Sequence, residues 1–204
     1  MSGTNSNNKY HYDVKNCHYC VGIRNDDGTV EFSDAVKALP GLMSMEMSAD
    51  GDISKVRADG LDFIILYSNN GYSGTFKFVK IDEEFKKDCL AEIVDETTGI
   101  QYEDADADMV PFAVMGEFKG DKEGIRWIYY NCTASRIKQA GDNKDNQKEP
   151  DTEELSVAAS PLPITINGEE KNIVRAGITK SMNEKTYSNW FKKVITPGTT
   201  VESV

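Results

Sequence analysis

The sequence predicts a mainly β protein with two packed antiparallel sheets, arranged as a β-sandwich or flattened barrel, and two helices. Apolar and polar residues alternate in many short segments, most cleanly from Met43 to Met47. Turn sequences rich in Gly, Asn and Asp separate these segments, such as Asn167-Gly168. Helical periodicity is confined to one flanking segment near 82–94 and one C-terminal segment near 183–194.

Length and charge limit the organisation and the classes of partner. The 204 residues suit one domain over 9–196, with a disordered tail at 1–8 and a second tail at 197–204. The net charge of −11 is the reverse of the basic footprint that a nucleic-acid-binding protein needs. We expect no membrane span, because no apolar run approaches the roughly 20 residues that a bilayer requires. The short polar leader lacks the basic and apolar parts of a signal peptide.

The first third of the chain is predicted to be strands joined by turns. Residues 9–24 form an N-terminal strand, and residues 29–32 pair back across the turn that follows it. The methionine-rich strand begins at Leu42. Residues 50–60 are a polar excursion, interpreted as a projecting hairpin or loop arm. The apolar run at 61–67 is predicted to return to the core.

The flanking helix near 82–94 has a start signal and an apolar face. Asp82 is the candidate N-cap, because its carboxylate can accept hydrogen bonds from free amides of the first turn. Phe85, Cys89 and Ile93 recur at i, i+4 and i+8, so they are predicted to face the core. A single amphipathic helix among strands typically covers an open end or flank of a sheet.

The segments after the helix predict a hairpin and a second polar arm. Residues 112–118 and 125–135 alternate on either side of a charged turn. The second of these strands has bulky residues on both faces, which is typical of a central strand covered on both sides. The very polar segment 139–153 is interpreted as a mobile loop or an interaction arm.

Further strands and a helix are predicted in the last quarter of the chain. Strands at 155–159, 164–166 and 173–178 precede a short helix capped by Asn183. The aromatic residues of that helix recur at helical spacing, and docking on the protein's own core is the commoner explanation for such a stripe.

The sequence contains no acid, base and nucleophile that are predicted to converge, so we expect no enzyme activity, no cofactor and no metal. Cys17 and His18 are adjacent on one strand and therefore point to opposite faces. Cys17 and Cys20 also face opposite ways, so buried thiols are a better explanation than a zinc site.

One acidic motif imitates a calcium-binding loop. Asp104, Asp106 and Asp108 have the spacing of the first three ligands. The glycine expected at the sixth position is Met109, and the glutamate expected at the twelfth is Met115. The motif therefore does not predict calcium binding.

The surrounding segment is strongly acidic. No Lys or Arg occurs between Lys87 and Lys119, whereas nine Asp and Glu residues do. This pattern indicates either a solvated acidic face or a surface that repels polyanions.

Several short motifs resemble, in their order along the chain, those of the phi13-type major tail proteins, the tail tube subunits of long-tailed phages of Gram-positive bacteria. They are Leu39-Pro40-Gly41, Asp50-Gly51-Asp52, Ala58-Asp59-Gly60, Asn69-Asn70-Gly71-Tyr72-Ser73-Gly74, Phe85-Lys86-Lys87-Asp88, Glu103-Asp104-Ala105-Asp106, Pro111-Phe112-Ala113, Glu117-Phe118 with Gly120-Asp121-Lys122 and Gly124, Tyr130-Asn131-Cys132-Thr133-Ala134-Ser135-Arg136, Glu149-Pro150, Ala159-Ser160-Pro161-Leu162 and Asn189-Trp190-Phe191. The resemblance covers the chain from about residue 9 to residue 194.

The resemblance implies a tail-tube fold and a structural role in the virion. Subunits of this family close into hexameric rings, and the stacked rings form the conduit through which phage DNA is ejected. The implied partners are further copies of the chain and the tape measure, tail terminator and distal tail proteins. DNA would pass without specific binding, and the protein would be made in the host cytoplasm.

Two sets of residues are the candidate sites under this hypothesis. Candidate ring or subunit contacts lie on the two polar arms, at Asp50, Asp52, Lys55, Arg57, Asp59, Asp142, Lys144, Asp145 and Lys148. An acidic lumen would be formed by Asp104, Asp106 and Asp108, because negative charge repels phosphate. The alternative hypothesis is a carbohydrate-binding β-sandwich module of a phage tail, with Trp127 and Tyr129 as its aromatic platform.

Overall fold

Alternating sequences form fourteen strands in the computed structural model, which describes residues 11, 13–120, 124–139, 141 and 151–199. The strands are β1 (Asp13–Arg24), β2 (Val30–Ala38), β3 (Leu42–Asp50), β4 (Ile53–Ala58), β5 (Leu61–Tyr67), β6 (Gly71–Phe78), β7 (Glu92–Val94), β8 (Gln101–Glu103), β9 (Phe112–Lys119), β10 (Arg126–Ala134), β11 (Glu153–Ser160), β12 (Leu162–Ile166), β13 (Glu169–Ile173) and β14 (Arg175–Ile178). The helices are α1 (Glu83–Cys89) and α2 (Glu184–Asn189). The predicted tail at 1–8 and residues 200–204 of the predicted C-terminal tail lie outside the described residues.

One large antiparallel sheet organises the fold. Its strand order is β2-β1-β9-β10-β11-β6-β3, and β14 pairs with β10 beside this path. Three separate hairpins, β4–β5, β7–β8 and β12–β13, extend from it. The predicted fold class, mainly β with antiparallel sheets and two helices, is confirmed.

The sheet curls so that its two halves enclose an inner core. Phe76 of β6 lies 6.2 Å from Trp127 of β10 between ring centroids, although β11 separates these two strands in the sheet. Tyr72 and Tyr129 make a similar edge contact at 5.5 Å. Tyr19 of β1 and Phe78 of β6 belong to the same buried cluster, and Met45 of β3 packs against it, so the two halves of the strand order share one core as in a sandwich or flattened barrel.

Strand β10 is covered on both faces, as predicted. Trp127 and Tyr129 belong to the inner core, whereas Ile128 and Tyr130 belong to a second cluster on the outer face. Strict alternation would place Cys132 with Ile128, but Cys132 lies in the inner core. The register of β10 against β9 shifts between Tyr129 and Cys132, and such an irregularity reverses the facing of the residues beyond it.

Helix α1 closes one end of the inner core. Asp82 is its N-cap, and the carboxylate accepts a 3.1 Å hydrogen bond from the amide of Glu84. Phe85 packs edge-on against Tyr19 at 4.9 Å and against Phe112 at 5.2 Å. Asp88 fixes the helix to the sheet, because it accepts a 2.8 Å hydrogen bond from the hydroxyl of Tyr19.

Helix α1 is shorter than the predicted span of 82–94. It ends at Cys89, and Ala91 has a φ of 55°, which is incompatible with a right-handed helix. The chain then enters β7, where Ile93 is exposed rather than directed at the core. Pairing with β8 replaces the continued helix and exposes the third residue of the predicted apolar face.

Helix α2 and the segment after it cover the outer face. Asn183 is the N-cap, as predicted, and accepts a 3.0 Å hydrogen bond from the amide of Thr186. The helix ends at Asn189, earlier than the predicted 194, and Trp190 is buried in the outer cluster. The Tyr130 hydroxyl donates to the carbonyl of Ile195 at 2.9 Å, which holds the following segment on the sheet.

Candidate functional site

The β4–β5 hairpin continues the ribbon formed by β3 and β6 beyond the main sheet. At the junction, the amide of Ser68 donates to the carbonyl of Asp52 at 3.0 Å, and the amide of Asn70 donates to the carbonyl of Asp50 at 2.7 Å. A Cβ on Gly51 would lie 2.1 Å from the Ser68 carbonyl oxygen. The two backbone segments at the junction therefore approach each other so closely that a side chain at position 51 would clash with the backbone. We call the β4–β5 hairpin, residues 53–67, the arm.

Every residue of the two arm strands is exposed. Leu61 and Phe63 are each 73% exposed, and Tyr67 is 75% exposed. The prediction that residues 61–67 form a core strand is therefore wrong, and the arm is larger than the predicted 50–60 excursion. The apolar run points into solvent because the hairpin lies beyond the edge of the sheet that would have covered it.

The arm has one apolar and one mixed face. Residues directly opposite each other in an antiparallel pair share a face, so the register defines both sides. The first face carries Ser54 and the apolar residues Val56, Ala58, Leu61, Ile64 and Leu66. We call it the apolar face of the arm. The other face carries Ile53, Lys55, Arg57, Asp62, Ile65 and Tyr67.

The predicted contact residues of the first arm lie along this ribbon. Lys55 and Arg57 both pair with Asp62, at 3.2 and 3.0 Å. Asp59 occupies the hairpin turn with a φ of 53°, followed by Gly60 with a φ of 82°. Consecutive positive φ angles are those of a type I′ turn, whose twist matches that of the strands. These charges thus belong to the tip and mixed face of the arm.

The two remaining candidates are at its base. Asp50 accepts a 3.0 Å hydrogen bond from the hydroxyl of Ser73, and Asp52 belongs to the junction. The second predicted arm, 139–153, is described only at 139, 141 and 151–153. Its candidate contacts Asp142, Lys144, Asp145 and Lys148 lie outside the described residues.

The acidic residues proposed for a lumen share one exposed turn. The Asp104 carboxylate accepts a 3.0 Å hydrogen bond from the amide of Asp106, and Asp108 follows in the same exposed segment. The carbonyl of Asp104 accepts a hydrogen bond from Arg136. The turn therefore brings the three carboxylates into one local region.

Other acids of the same stretch stabilise the fold. Asp88 pairs with Lys37 at 2.7 Å, Glu103 pairs with Arg136 at 3.1 Å, and Glu117 is buried in an ion-pair network. Some acids of this segment therefore form stabilising ion pairs, whereas others, such as those of the Asp104 turn, are exposed to solvent.

A small apolar patch on the β7–β8 hairpin has no counterpart among the sequence predictions. Ile93 and Tyr102 are directly opposite in the ladder, and Ile100 follows the same alternation. Their exposed fractions are 42%, 46% and 61%. Gln101 faces the other way and donates a 2.9 Å hydrogen bond to Glu83 of α1. We call Ile93, Ile100 and Tyr102 the hairpin patch.

The four buried thiols are predicted to be unreactive. Cys17 belongs to the inner core and Cys20 to the outer cluster, so the two sulfur atoms lie on opposite sides of the sheet, as predicted. Burial raises the pKa of Cys17 to about 12 and also raises the pKa of Cys89 and Cys132. Within the described ranges, no group of three metal-ligating side chains forms.

The aromatic platform required for the carbohydrate-binding alternative is contradicted. Trp127 and Tyr129 are each only 6% exposed and belong to the inner core. A sugar therefore has no access to their faces. A polar groove of about 600 Å³ lies instead between α1, the β7–β8 hairpin and residues 137–139 and 151–153.

In the part of the chain that the structure describes, no helix is both long and apolar enough to cross a bilayer.

Comparisons with known proteins give little further guidance. No protein-family model matches the sequence, and no curated protein matches it significantly. Among solved structures, a similar chain is the tube-terminating cap of the anti-feeding prophage, determined by cryo-EM. It is 10% identical, the match covers 88% of this chain and 99% of that chain, and the TM-score is 0.44. A likeness at this level establishes neither a family nor a function.

Proposed function

We propose that the protein is a structural subunit of a phage tail, specifically the major tail tube protein. In this proposal it assembles into hexameric rings that stack into the conduit for DNA ejection. Two findings support it: the ordered sequence motifs resembling phi13-type tail tube subunits, and the exposed apolar arm. The arm is the observation that carries the proposal.

The arm exposes many apolar side chains, which indicates that it binds another molecule. Large apolar patches on a protein surface mark interaction sites. An isolated two-stranded hairpin is marginally stable in water, and burying a Leu or Ile side chain contributes about 1.5–3 kcal/mol. Packing the apolar face of the arm, including Leu61, Ile64 and Leu66, against a neighbour would therefore stabilise both the arm and the assembly.

The proposed partner is a further copy of the same chain. A heterologous contact that closes by rotation generates a ring, and a second set of contacts stacks the rings. Strands β2 and β3, at the two ends of the main sheet, also have edges suited to such contacts. Asp50, Asp52, Lys55, Arg57 and Asp59 are the proposed polar contacts.

The acidic turn has a separate role in the proposal. Asp104, Asp106 and Asp108 would face the lumen, where negative charge repels the phosphate backbone and lets DNA slide. The proposed location is the virion, after synthesis in the host cytoplasm. The tape measure, tail terminator and distal tail proteins are the proposed heterologous partners.

Assembly is the test of this function. The purified protein, concentrated alone or with a tail-initiation complex, is expected to form hollow tubes visible by negative-stain electron microscopy. Leu61→Ser combined with Leu66→Ser should abolish the tubes while leaving the circular dichroism spectrum unchanged, because both side chains are exposed.

Met182→Ser is the matched control, since Met182 is 74% exposed but distant in sequence from the arm. It should assemble like the wild type. A wild-type protein that remains monomeric at every concentration, with and without the initiation complex, would contradict the proposal.

A further inference from the structure

The arm and the hairpin patch are two separate exposed apolar surfaces on one chain. The apolar face of the arm offers Val56, Ala58, Leu61, Ile64 and Leu66, and the hairpin patch offers Ile93, Ile100 and Tyr102. We propose that the hairpin patch of one copy is the acceptor for the apolar face of the arm of a second copy. This inference rests on the proposed self-assembly and names the surfaces that meet.

Charge disfavours contact between two hairpin patches. Asp95 and Glu96 lie in the exposed turn beside the patch, and its segment contains no Lys or Arg, whereas Glu92 and Glu103 lie on the opposite face with Gln101. Two such patches would bring like charges together, which costs several kcal/mol in an interface. The patch therefore requires a surface without this negative charge.

The arm meets this requirement. Its two cations and two acids balance, and Lys55 and Arg57 share the single carboxylate of Asp62. Both cations lie on the mixed face, so the apolar face that would dock carries no charge to oppose the acidic turn. Lys and Arg stems also cover apolar surface while the charged end stays hydrated.

Symmetry distinguishes the two remaining pairings. Contact between two arms is isologous and closes a dimer, which uses each arm once and does not propagate. Contact between arm and patch is heterologous, so every copy donates one arm and accepts another. Only the second pairing extends to the ring required by the proposed function.

Cysteine cross-linking tests the pairing directly. Ile64→Cys places a thiol on the arm, and Ile100→Cys places one on the hairpin patch of a copy carrying a size tag. The native thiols are buried, so a short bismaleimide reagent should react with the introduced cysteines. The matched control pairs the Ile64→Cys copy with a tagged Met182→Cys copy.

The expected result is a cross-linked heterodimer from the arm and patch variants at least about ten-fold above the control, because a shared interface raises the effective concentration. A second pair, Leu61→Cys with Tyr102→Cys, repeats the test with different side chains. Electron microscopy of each mixture reports assembly independently.

The outcomes separate the two proposals. Tubes without enrichment of either heterodimer would overturn the arm–patch contact and leave the tube function standing. Predominant Ile64→Cys homodimers would replace it with an arm–arm contact. Failure of the wild-type protein to assemble under any condition would overturn both.

Discussion

Arg126 and Glu117 face each other on adjacent strands and form a largely buried ion pair. The two residues are directly opposite in the β9–β10 ladder, and the Arg126 Nε lies 3.0 Å from the Glu117 Oε2. The guanidinium carbon also lies 3.7 Å from the ring centroid of Tyr187 and 4.6 Å from that of Phe191. One side chain thus connects the charged centre of the sheet to the C-terminal helix and its extension.

Replacing Arg126 with Lys should destabilise the protein by about 2 kcal/mol, because the planar stacking and the multiple hydrogen bonds are lost while the charge remains. Arg126 also donates to the carbonyl of Tyr187, a bond that a lysine cannot keep together with the Glu117 pair. Urea unfolding followed by tryptophan fluorescence measures the change. Arg57→Lys is the control, since Arg57 is 76% exposed and an exposed pair contributes at most about 1 kcal/mol. Equal losses in the two variants would contradict the role assigned to Arg126.

The Glu117 network should make stability depend on acid pH. Burial raises the pKa of Glu117, but the nearby Lys15 and Arg126 side chains outweigh it and hold the pKa below its usual value. A lowered folded-state pKa contributes stability that is present above the unfolded pKa of about 4.3 and is lost as pH falls through the folded value.

Glu117→Gln should therefore cost about 2 kcal/mol at neutral pH and progressively less in acid. The measurement is the unfolding free energy of both proteins across pH 7 to about 3. Asp27→Asn is the comparison variant. The pKa of Asp27 is also lowered, but by bonds to Thr29 in an exposed turn, so its loss should change the unfolding free energy less than the loss of Glu117. A difference between wild type and Glu117→Gln that stays constant with pH would contradict the assigned network.

Gly51→Ala should disturb the attachment of the arm. The added Cβ would lie 2.1 Å from the Ser68 carbonyl oxygen, so the ribbon must open at its junction, at a cost of about 1–3 kcal/mol. Faster amide hydrogen exchange across residues 53–67 is the expected observation. Gly141→Ala is the control, because among the described residues a Cβ there meets nothing within 4 Å. Unchanged exchange in Gly51→Ala would show that the close approach does not hold the arm.

The four native cysteines should be unreactive in the folded protein. Cys17, Cys20, Cys89 and Cys132 are buried, and burial raises the pKa of each thiol, so little thiolate forms at neutral pH. A chromogenic thiol reagent should label none of them rapidly in buffer and all of them in denaturant. Rapid labelling of one native thiol would indicate local opening at that position.

Charge reversal of the acidic turn tests the proposed lumen. Asp104→Lys, Asp106→Lys and Asp108→Lys together should leave assembly intact and slow DNA ejection, because phosphate would then be attracted to the conduit. The turn is exposed, so the free energy of unfolding should change little. Reversal of Glu169 and Glu170 to Lys is the control for altered net charge on another exposed hairpin. Ejection at the wild-type rate would exclude a lumen role for the turn.

Features that depend on near neighbours in the chain could be read from the amino-acid sequence. Alternation identified most strands of the main sheet but not the β7–β8 hairpin. Asp82 and Asn183 marked both helix starts, because side-chain caps act on amides within two or three residues. The two bulky faces of β10 correctly indicated a strand covered on both sides. Each of these features depends on neighbours in the chain.

Which apolar segments are buried within the protein itself depends on the packing of distant strands. Leu61–Tyr67 has the pattern of a core strand yet lies on the exposed arm, and Ile93 continues the apolar stripe of α1 yet belongs to a separate hairpin. A bulge likewise moved Cys132 to the inner core. Removing an apolar side chain from water is favourable wherever that happens. The position of the surrounding strands decides whether the side chain is buried within its own fold or only against another molecule.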